Sequence, residues 1–219
     1  MMNNLIKHRL VNLKFTFLIL IFSLSLSSNS FSNNSDIIIN KIENYFNNIT
    51  TLQAKFIQLD EDGSYKNGIL MISKPGKIIF EYKKPSSILI VSDGQYVIFY
   101  DKNLNQLNRI SINKVPIKFL VNNNFSFKNN DIVIKNIEYE GNVIILSMQY
   151  NKNMLTNKIK LLFENNPLIL RQWIIEDSQG YKTRISLEDV NTEIKLDEKK
   201  FKFDYNKKIK EINKTFIPN

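Results

Sequence analysis

The 219-residue chain contains no cysteine and a single histidine, His8. The absence of cysteine excludes a disulfide framework, a thiolate zinc site and a cysteine nucleophile. His8 lies in an N-terminal segment that we expect to be removed, so the mature chain would also lack histidine. Without histidine, a Ser-His-Asp triad, histidine proton transfer and nearly every transition-metal site are excluded. The composition therefore predicts no metal site and argues against most enzyme classes.

Long apolar stretches are also scarce, and the most pronounced one lies near the N-terminus. Basic residues at positions 7, 9 and 14 precede an apolar run over residues 15–26, and Ser30-Phe31-Ser32 fits the small-x-small cleavage rule. The run is shorter than the roughly 20 residues of a membrane span. We therefore predict a signal peptide over residues 1–32, cleaved near Ser32, and an exported mature protein. An uncleaved membrane anchor is the alternative.

Acidic residues are outnumbered by basic ones, 21 against 30, which gives a formal charge of +9. Removal of Lys7, Arg9 and Lys14 leaves 27 basic residues and a charge of +6. A basic balance favours nucleic acid or an anionic membrane surface as partner. Export argues against nucleic acid, and the joint abundance of Ile, Asn and Lys is typical of AT-rich genomes. Composition bias therefore explains much of the charge.

One amphipathic helix is predicted at the start of the mature chain. Ser35 fits an N-cap, and apolar residues follow it at helical spacing. They form a single stripe of Ile38, Ile42, Tyr45, Phe46 and Ile49. A helix with one apolar stripe must pack that stripe on another apolar surface.

Strand patterns separated by turn signals fill most of the remaining chain. Asp62-Gly63 and Asp93-Gly94 are such signals, and Asp93-Gly94 is typical of a two-residue hairpin. The predicted strands are 52–59, 68–73, 78–82, 88–92, 95–100, 105–112, 131–139, 143–150, 157–163, 168–176 and 181–190. The short connections favour an antiparallel meander, because parallel strands need long crossovers.

Two segments depart from the strand pattern. Residues 115–121 carry Pro116 at a possible first helical position and are apolar after it, which predicts a short helix or an apolar loop. The Lys-rich end, 206–214, is predicted to be a solvated tail. No linker or repeat divides the chain, so we expect one domain over residues 33–205 and a basic tail over 206–219.

The strands differ in how apolar residues are distributed between their two faces. Residues 183–188 alternate apolar and polar, which predicts one dry and one wet face. Residues 95–100 and 143–148 are apolar on both faces. Such strands need cover on each side, or they enclose an apolar cavity. The pattern alone does not decide between a cavity and a tightly packed sandwich core.

Candidate catalytic groups are few. Glu81, Glu176 and Asp177 are the carboxylates from which a glycoside-hydrolase pair would have to come, although nothing in the sequence places two of them together. Residues 60–63 form an acidic turn without the ligand spacing of a calcium loop, which is typical of a solvated hairpin tip. A hydrolase with paired carboxylates is kept as the alternative function.

Lys74 ends an apolar strand face. It precedes Pro75, which favours an extended conformation, and alternation places it on the face of Leu70 and Ile72. A cation at this place can bond to carbonyls or to a ligand head group, and snorkelling to water is the alternative. The same alternation, continued past the turn, predicts one inward-facing set: Leu70, Ile72, Ile78, Phe80, Tyr82, Ile90 and Ile98.

Several short motifs follow one another in a characteristic order. They are Phe56-x-Gln58, the run 68–77 (GILMISKPGK), Phe80-Glu81-Tyr82, Val91-Ser92-Asp93-Gly94, Pro116 with Phe119-Leu120, the run 172–180 (QWIIEDSQG) and Phe201-x-Phe203. Each motif is weak alone. Their order and spacing resemble the periplasmic outer-membrane lipoprotein carrier family (LolA) over residues 36–205.

The resemblance implies a mainly β fold, an incomplete antiparallel β-barrel of about eleven strands with short α-helices as a lid over an apolar cavity. It implies a periplasmic chaperone that binds the acyl chains of lipoproteins released by an inner-membrane ABC-type complex and transfers them to an outer-membrane acceptor. Such a carrier is not an enzyme, uses no cofactor, binds no nucleic acid and is expected to be a monomer. A non-trafficking lipid-binding module on the same fold is a further alternative.

The resemblance also assigns roles to individual residues. The inward set would bind lipid, and the lid would come from Ile38, Ile42, Phe46, Phe119 and Leu120. Family members often carry an Arg before the Pro of the motif that begins at Lys74, and this Arg bonds to the lid. Lys74 would then be the lid latch, with backbone carbonyls of a lid segment, for example 115–120, as its acceptors.

Overall fold

A computed structural model describes residues 30–115, 118–128, 131–152 and 155–215. The chain divides into two compact units, Met1–Lys41 and Ile42–Asn219. The first unit contains the predicted signal peptide, of which residues 1–29 lie outside the described residues. Its described part is the beginning of helix α1, Ser30–Asn48. Ser35, the predicted N-cap, lies within the helix, because the helix begins five residues earlier.

Eleven antiparallel strands form one sheet in the second unit, with the order β6-β5-β4-β3-β2-β1-β11-β10-β9-β8-β7. The strands are β1 Thr51–Asp60, β2 Tyr65–Ser73, β3 Lys77–Tyr82, β4 Ile88–Asp93, β5 Tyr96–Asp101, β6 Gln106–Ser111, β7 Ile132–Glu140, β8 Val143–Lys152, β9 Leu155–Glu164, β10 Ile169–Glu176 and β11 Lys182–Asn191. The sheet is open, since β6 and β7 are its two edges. The predicted fold class and strand number are confirmed.

Short helical segments complete the second unit. Three 3₁₀ turns cover Ile112–Lys114, Lys118–Leu120 and Glu198–Phe201. The first ends just before the predicted helix or loop at 115–121 and the second lies within it, whereas Pro116 itself lies outside the described residues. None of the helices in the described part of the chain is long and apolar enough to cross a membrane.

The Lys-rich end is a helix rather than only a solvated tail. Helix α2 spans Tyr205–Thr215. Ile212 is buried and Tyr205 packs against an apolar cluster. Tyr205, Ile209 and Ile212 follow one another at intervals of four and three residues, which is the spacing of one helix face. This spacing of apolar residues indicates an amphipathic helix, and the prediction of a solvated tail overlooked it because lysines surround these residues.

The sheet curls so that distant strands meet across its inner face. The three-residue turn after β2 places Leu70 opposite Phe80 and Ile72 opposite Ile78. Strands β3 and β10 are four steps apart in the sheet, which would separate them by about 19 Å if the sheet were flat. The rings of Phe80 and Trp173 nevertheless lie 6.3 Å apart. The inner faces therefore share one core.

The outer face of β2–β5 has its own apolar cover. Met71, Ile79, Val91 and Ile98 form a buried cluster there with Phe201, and Leu196, Phe203 and Tyr205 pack around it. The segment that follows β11 thus covers the back of these strands. Strand β5, which is apolar on both faces, therefore has a packed core on its outer face. A packed core was one of the two interpretations of this pattern, and an enclosed cavity was the other.

Polar contacts hold this C-terminal segment on the sheet. The Ser73 hydroxyl donates to Glu198 at 2.7 Å, and Lys77 pairs with the same carboxylate. The Arg109 guanidinium lies between the rings of Tyr96 and Tyr205, 4.5 and 4.8 Å from their centroids. Stacked cations of this kind contribute about 0.5–1 kcal/mol each at exposed sites.

Candidate functional site

An apolar cavity of about 330 Å³ lies on the inner face of β3–β6, beneath the segment that follows β6. Of the predicted inward set, Ile78, Phe80 and Ile90 line it. The other lining residues are Val97, Phe99, Asn108, Ile110, Ile112, Val115, Val121 and Ile175. Asn108 is the one polar side chain among these lining residues. A cavity of this composition suits an apolar ligand with few polar atoms.

Leu70, Ile72 and Tyr82 lie on the same face but are packed into the core. Leu70 and Ile72 are at most 1% exposed, and the Tyr82 hydroxyl donates to Gln58 at 2.5 Å. Burial also raises the pKa of Tyr82, so the phenol remains a neutral donor. A ligand reaches these residues only if the surrounding packing opens.

The placement of Ile98 in the cavity is wrong. The pairing of β4 with β5 sets Ile90 opposite Phe99 and Val91 opposite Ile98. Ile98 therefore lies with Val91 on the outer face, in the cluster under Phe201. The last β4–β5 pair is Ser92 with Val97, so four residues separate the paired positions where a two-residue hairpin was predicted.

Loop parity is the signal that would have found the cavity residues of β5. A connection with an even number of residues, two or four, pairs the even-numbered Ile90 of β4 with an odd-numbered residue of β5. The turn after β2 has an odd number of residues, so it pairs even-numbered residues of β2 with even-numbered residues of β3. Val97 and Phe99 follow from that rule. Continuing it across β6 gives Asn108 and Ile110, which pair with Phe99 and Val97.

Two of the predicted lid residues of the second unit, Phe46 and Phe119, belong to one aromatic cluster. Phe46, 1% exposed, makes edge contacts with Phe119 and Phe125, both at 5.4 Å, and with Phe163 at 5.9 Å. Ile42 and Leu120 are also buried. In the first unit, Ile38 is buried as well. Sequence reasoning missed Phe125, because a polar Asn-rich stretch precedes it.

Hydrogen bonds attach the end of α1 to the segment after the second 3₁₀ turn. The Asn47 amide donates to the Phe125 carbonyl at 2.9 Å and accepts from the Phe125 N–H at 2.7 Å. The Glu43 carboxylate accepts from Ser126 and from the Phe127 N–H, at 2.9 and 2.6 Å. A further bond joins the helix to the sheet itself, since the Leu170 N–H donates to the Tyr45 hydroxyl at 3.1 Å.

Lys74 donates from its ammonium to the carbonyl of Phe46, in the last turn of α1. That carbonyl has no partner within the helix, and a cation is favoured at a helix C-terminus. Burial lowers the pKa of Lys74 to about 8, so the ammonium is still largely protonated at neutral pH. The acceptor thus lies on the helix with three of the proposed lid residues, and not in the example segment 115–120.

The turn after Lys74 also reaches the other covering segment. The Gly76 N–H donates to the Val121 carbonyl at 2.9 Å, and the Lys74 N–H donates to Thr50 at 2.8 Å. One β-turn therefore bonds both to the end of α1 and to the chain above the cavity.

The candidate carboxylates do not have the environment of a glycosidase pair. The hydrogen bond from Lys158 holds the pKa of Glu176 below its usual value, whereas a general acid needs a raised one. Asp177 accepts from the N–H groups of Gln179 and Tyr181 and so stabilises a turn. Glu81 is exposed. Among the described residues, no cluster of acidic side chains is arranged to hold a metal ion.

An open antiparallel sheet with an apolar cavity on its inner face is suited to an apolar ligand. Residues 47–204 match the family described as outer membrane lipoprotein carrier protein LolA. The chain belongs to this family. At the level of the family this gives it a lipoprotein carrier role and a periplasmic location, in a family that is generally non-enzymatic.

Two named relatives agree with the family assignment. An outer-membrane lipoprotein carrier protein of Francisella philomiragia is 28% identical over 85% of this chain and 92% of its own. Another of Chromobacterium violaceum is 33% identical over 62% of this chain and 68% of its own. An uncharacterized protein of Rickettsia prowazekii is 26% identical over 58% of this chain and 59% of its own length.

Proposed function

We propose that this protein carries lipoproteins across the periplasm, holding their acyl chains in the cavity between release from the inner membrane and delivery to an outer-membrane acceptor. The observation that carries the proposal is the cavity itself, lined by ten apolar side chains and one amide, with Val115 and Val121 of the segment after β6 among them. The candidate lipid contacts are the predicted residues on that face, with Val97 and Phe99 in place of Ile98.

The need for a cavity follows from the free energy of acyl chains in water. Each CH₂ group costs about 0.8 kcal/mol to expose, so a long chain does not leave a membrane unaided at a useful rate. A cavity of about 330 Å³ is at the small end of ligand pockets. Cargo with several acyl chains therefore requires the lid to move. The side chains that would move away from the sheet are those of Phe46, Phe119 and Leu120.

An apolar probe tests this function directly. Ile90→Trp fills the cavity and removes the space of at least two CH₂ groups, so its affinity for a fluorescent fatty acid should fall at least about tenfold. Ile57→Trp is the matched control, because Ile57 is 38% exposed on β1 and is not part of the lining. It should bind within about twofold of wild type. Equal affinity of the two variants would show that the cavity is not the lipid site.

We assign Lys74 the role of lid latch, since its ammonium bonds the last turn of α1 in the closed state. A sheltered charge-assisted bond contributes roughly 1.5–3 kcal/mol, which is tenfold or more in the lid equilibrium. Lys74→Leu should therefore accept cargo normally and release it poorly. Lys74→Arg keeps a permanent cation and should transfer cargo at least as well as wild type.

The measurement for the latch is transfer of a bound lipoprotein to outer-membrane vesicles. Wild type and Lys74→Arg should transfer it, and Lys74→Leu should be slower by about tenfold. Equal transfer by all three would reduce Lys74 to a surface lysine. A chain that binds fatty acid but transfers no lipoprotein would instead be a lipid-binding module without a role in trafficking.

A further inference from the structure

Strand β6 is an unpaired edge of the sheet that borders the cavity. It pairs with β5 on one side, and no described strand pairs with its other side. Its residues Asn108 and Ile110 line the cavity, and Ile110 is 45% exposed. The cavity is therefore bordered by a strand whose outer backbone groups are unpaired in the sheet.

The register identifies which of those groups point outward. The Ile112 N–H donates to the Gln95 carbonyl at 3.0 Å, so even-numbered residues of β6 direct their backbone groups toward β5. Leu107 and Arg109 then direct N–H and C=O away from the sheet. Their side chains lie on the outer face, with Leu107 against the Ile98 cluster and Arg109 between two tyrosines.

The other edge of the sheet, β7, is protected in ways that β6 is not. Its register shifts between Ile134 and Asn136, and it carries Lys135, Glu138 and Glu140. Bulges and charges of this kind prevent strand addition. Strand β6 runs in continuous register along β5, and its one charged side chain is stacked on rings away from the edge. No β7 residue lines the cavity.

Asn108 marks where an apolar ligand meets its polar linkage. It is the one polar residue among those that line the cavity, and it is exposed, so its amide is accessible to a ligand at the rim. An acyl chain is joined to a peptide by a carbonyl group, for which an accessible amide N–H₂ is a suitable donor. A chain seated against Phe99 and Ile110 would bring that carbonyl to the rim beside β6.

We propose that the edge of β6 binds the peptide that bears the acyl chain, as an added strand bonded to the backbone of Leu107 and Arg109. The inference rests on the proposed function, because it deepens what the cavity recognises from a lipid to an acylated peptide. Strand addition uses main-chain hydrogen bonds, so it gives affinity with little dependence on the peptide sequence. A carrier of many cargoes requires that property.

Two variants of Arg109 isolate the backbone contact. Arg109→Ala and Arg109→Pro both lose the guanidinium, but the proline also loses an outward N–H, which an edge strand tolerates without breaking its ladder. The probes are palmitic acid and a synthetic peptide palmitoylated at its N-terminus. Palmitic acid should bind all three proteins alike. The lipopeptide should bind wild type and Arg109→Ala alike and Arg109→Pro at least about fivefold more weakly.

A second measurement uses wild-type protein and does not depend on a variant folding. Lipopeptides methylated at one backbone nitrogen after another should lose affinity at every second position, because alternate N–H groups of an added strand face β6. Equal binding of the lipopeptide by the two Arg109 variants, or uniform tolerance of N-methylation, would overturn strand addition while leaving lipid binding intact. Failure of wild type to bind palmitic acid would instead contradict the proposed function.

Discussion

Gly68→Ala should lower the free energy of unfolding by about 3–4 kcal/mol, the largest loss we expect from the addition of a single methyl group to this protein. A Cβ at Gly68 would lie 2.1 Å from the Glu81 carbonyl oxygen and 2.7 Å from Cε1 of Phe56. The oxygen belongs to the backbone of β3, which pairs with β2 through Gly68 and Tyr82. The methyl group therefore forces the two strands apart where the inner core begins.

Urea unfolding followed by circular dichroism measures this loss. Gly63→Ala is the matched control, because no other heavy atom lies within 4 Å of its added Cβ. Gly63 has a φ of +81°, so the control should cost only the strain of a left-handed residue, about 1–2 kcal/mol. A Gly68→Ala protein as stable as the control would mean that the close approach of β2 and β3 is not a constraint on the fold.

Phe46→Ala should cost about 3–5 kcal/mol and release the end of α1. Phe46 is 1% exposed and makes edge contacts with three other phenylalanines, of which Phe119 and Phe125 belong to the covering segments. Its truncation leaves a cavity at the centre of the aromatic cluster. Without that anchor, polar bonds made by Lys74, Asn47, Glu43 and Tyr45 are the contacts that still hold the end of the helix.

Hydrogen exchange separates this local release from general destabilisation. The amides of residues 42–48 should exchange at least about tenfold faster in Phe46→Ala, while those of β10 and β11 keep their order of protection. Ile37→Ala, at a position of α1 that is 59% exposed, should change stability by less than about 0.5 kcal/mol. Unchanged exchange at residues 42–48 would show that Phe46 does not hold the cover.

The inward face of β2 and β3 could be predicted because its signal is local. Alternation along each strand and an odd-length turn between them determine that Leu70, Ile72, Ile78 and Phe80 share a side. The same alternation failed at Ile98, where an even-length connection reverses the parity. The face on which a residue lies after a turn thus depends on whether the turn length is odd or even. The two-residue hairpin predicted at Asp93-Gly94 already had the even length that places Phe99 rather than Ile98 inward.

The latch shows a second limit. An extended lysine before proline at the end of an apolar face was visible in the sequence, and so was the apolar stripe of the opening helix. The sequence did not show that the Lys74 ammonium bonds to the carbonyl of Phe46, which lies 28 positions earlier in the chain. Helix and strand periodicities describe one element at a time, whereas this contact depends on how α1 ends against the β2–β3 turn.

The sequence by itself determined that the protein has neither cysteine nor a second histidine, and that an amphipathic helix precedes eleven antiparallel strands. Period-two patterns and short turns were sufficient for this, because hydrogen bonding between neighbouring strands leaves few alternatives. The tertiary structure decided which apolar face encloses the cavity and which lies under the C-terminal segment, and that β6 is left as the open edge beside the cavity. Both faces of β5 are equally apolar, so the pattern along β5 does not by itself distinguish them, whereas the cluster of Ile98 with Phe201, which are far apart in the chain, does.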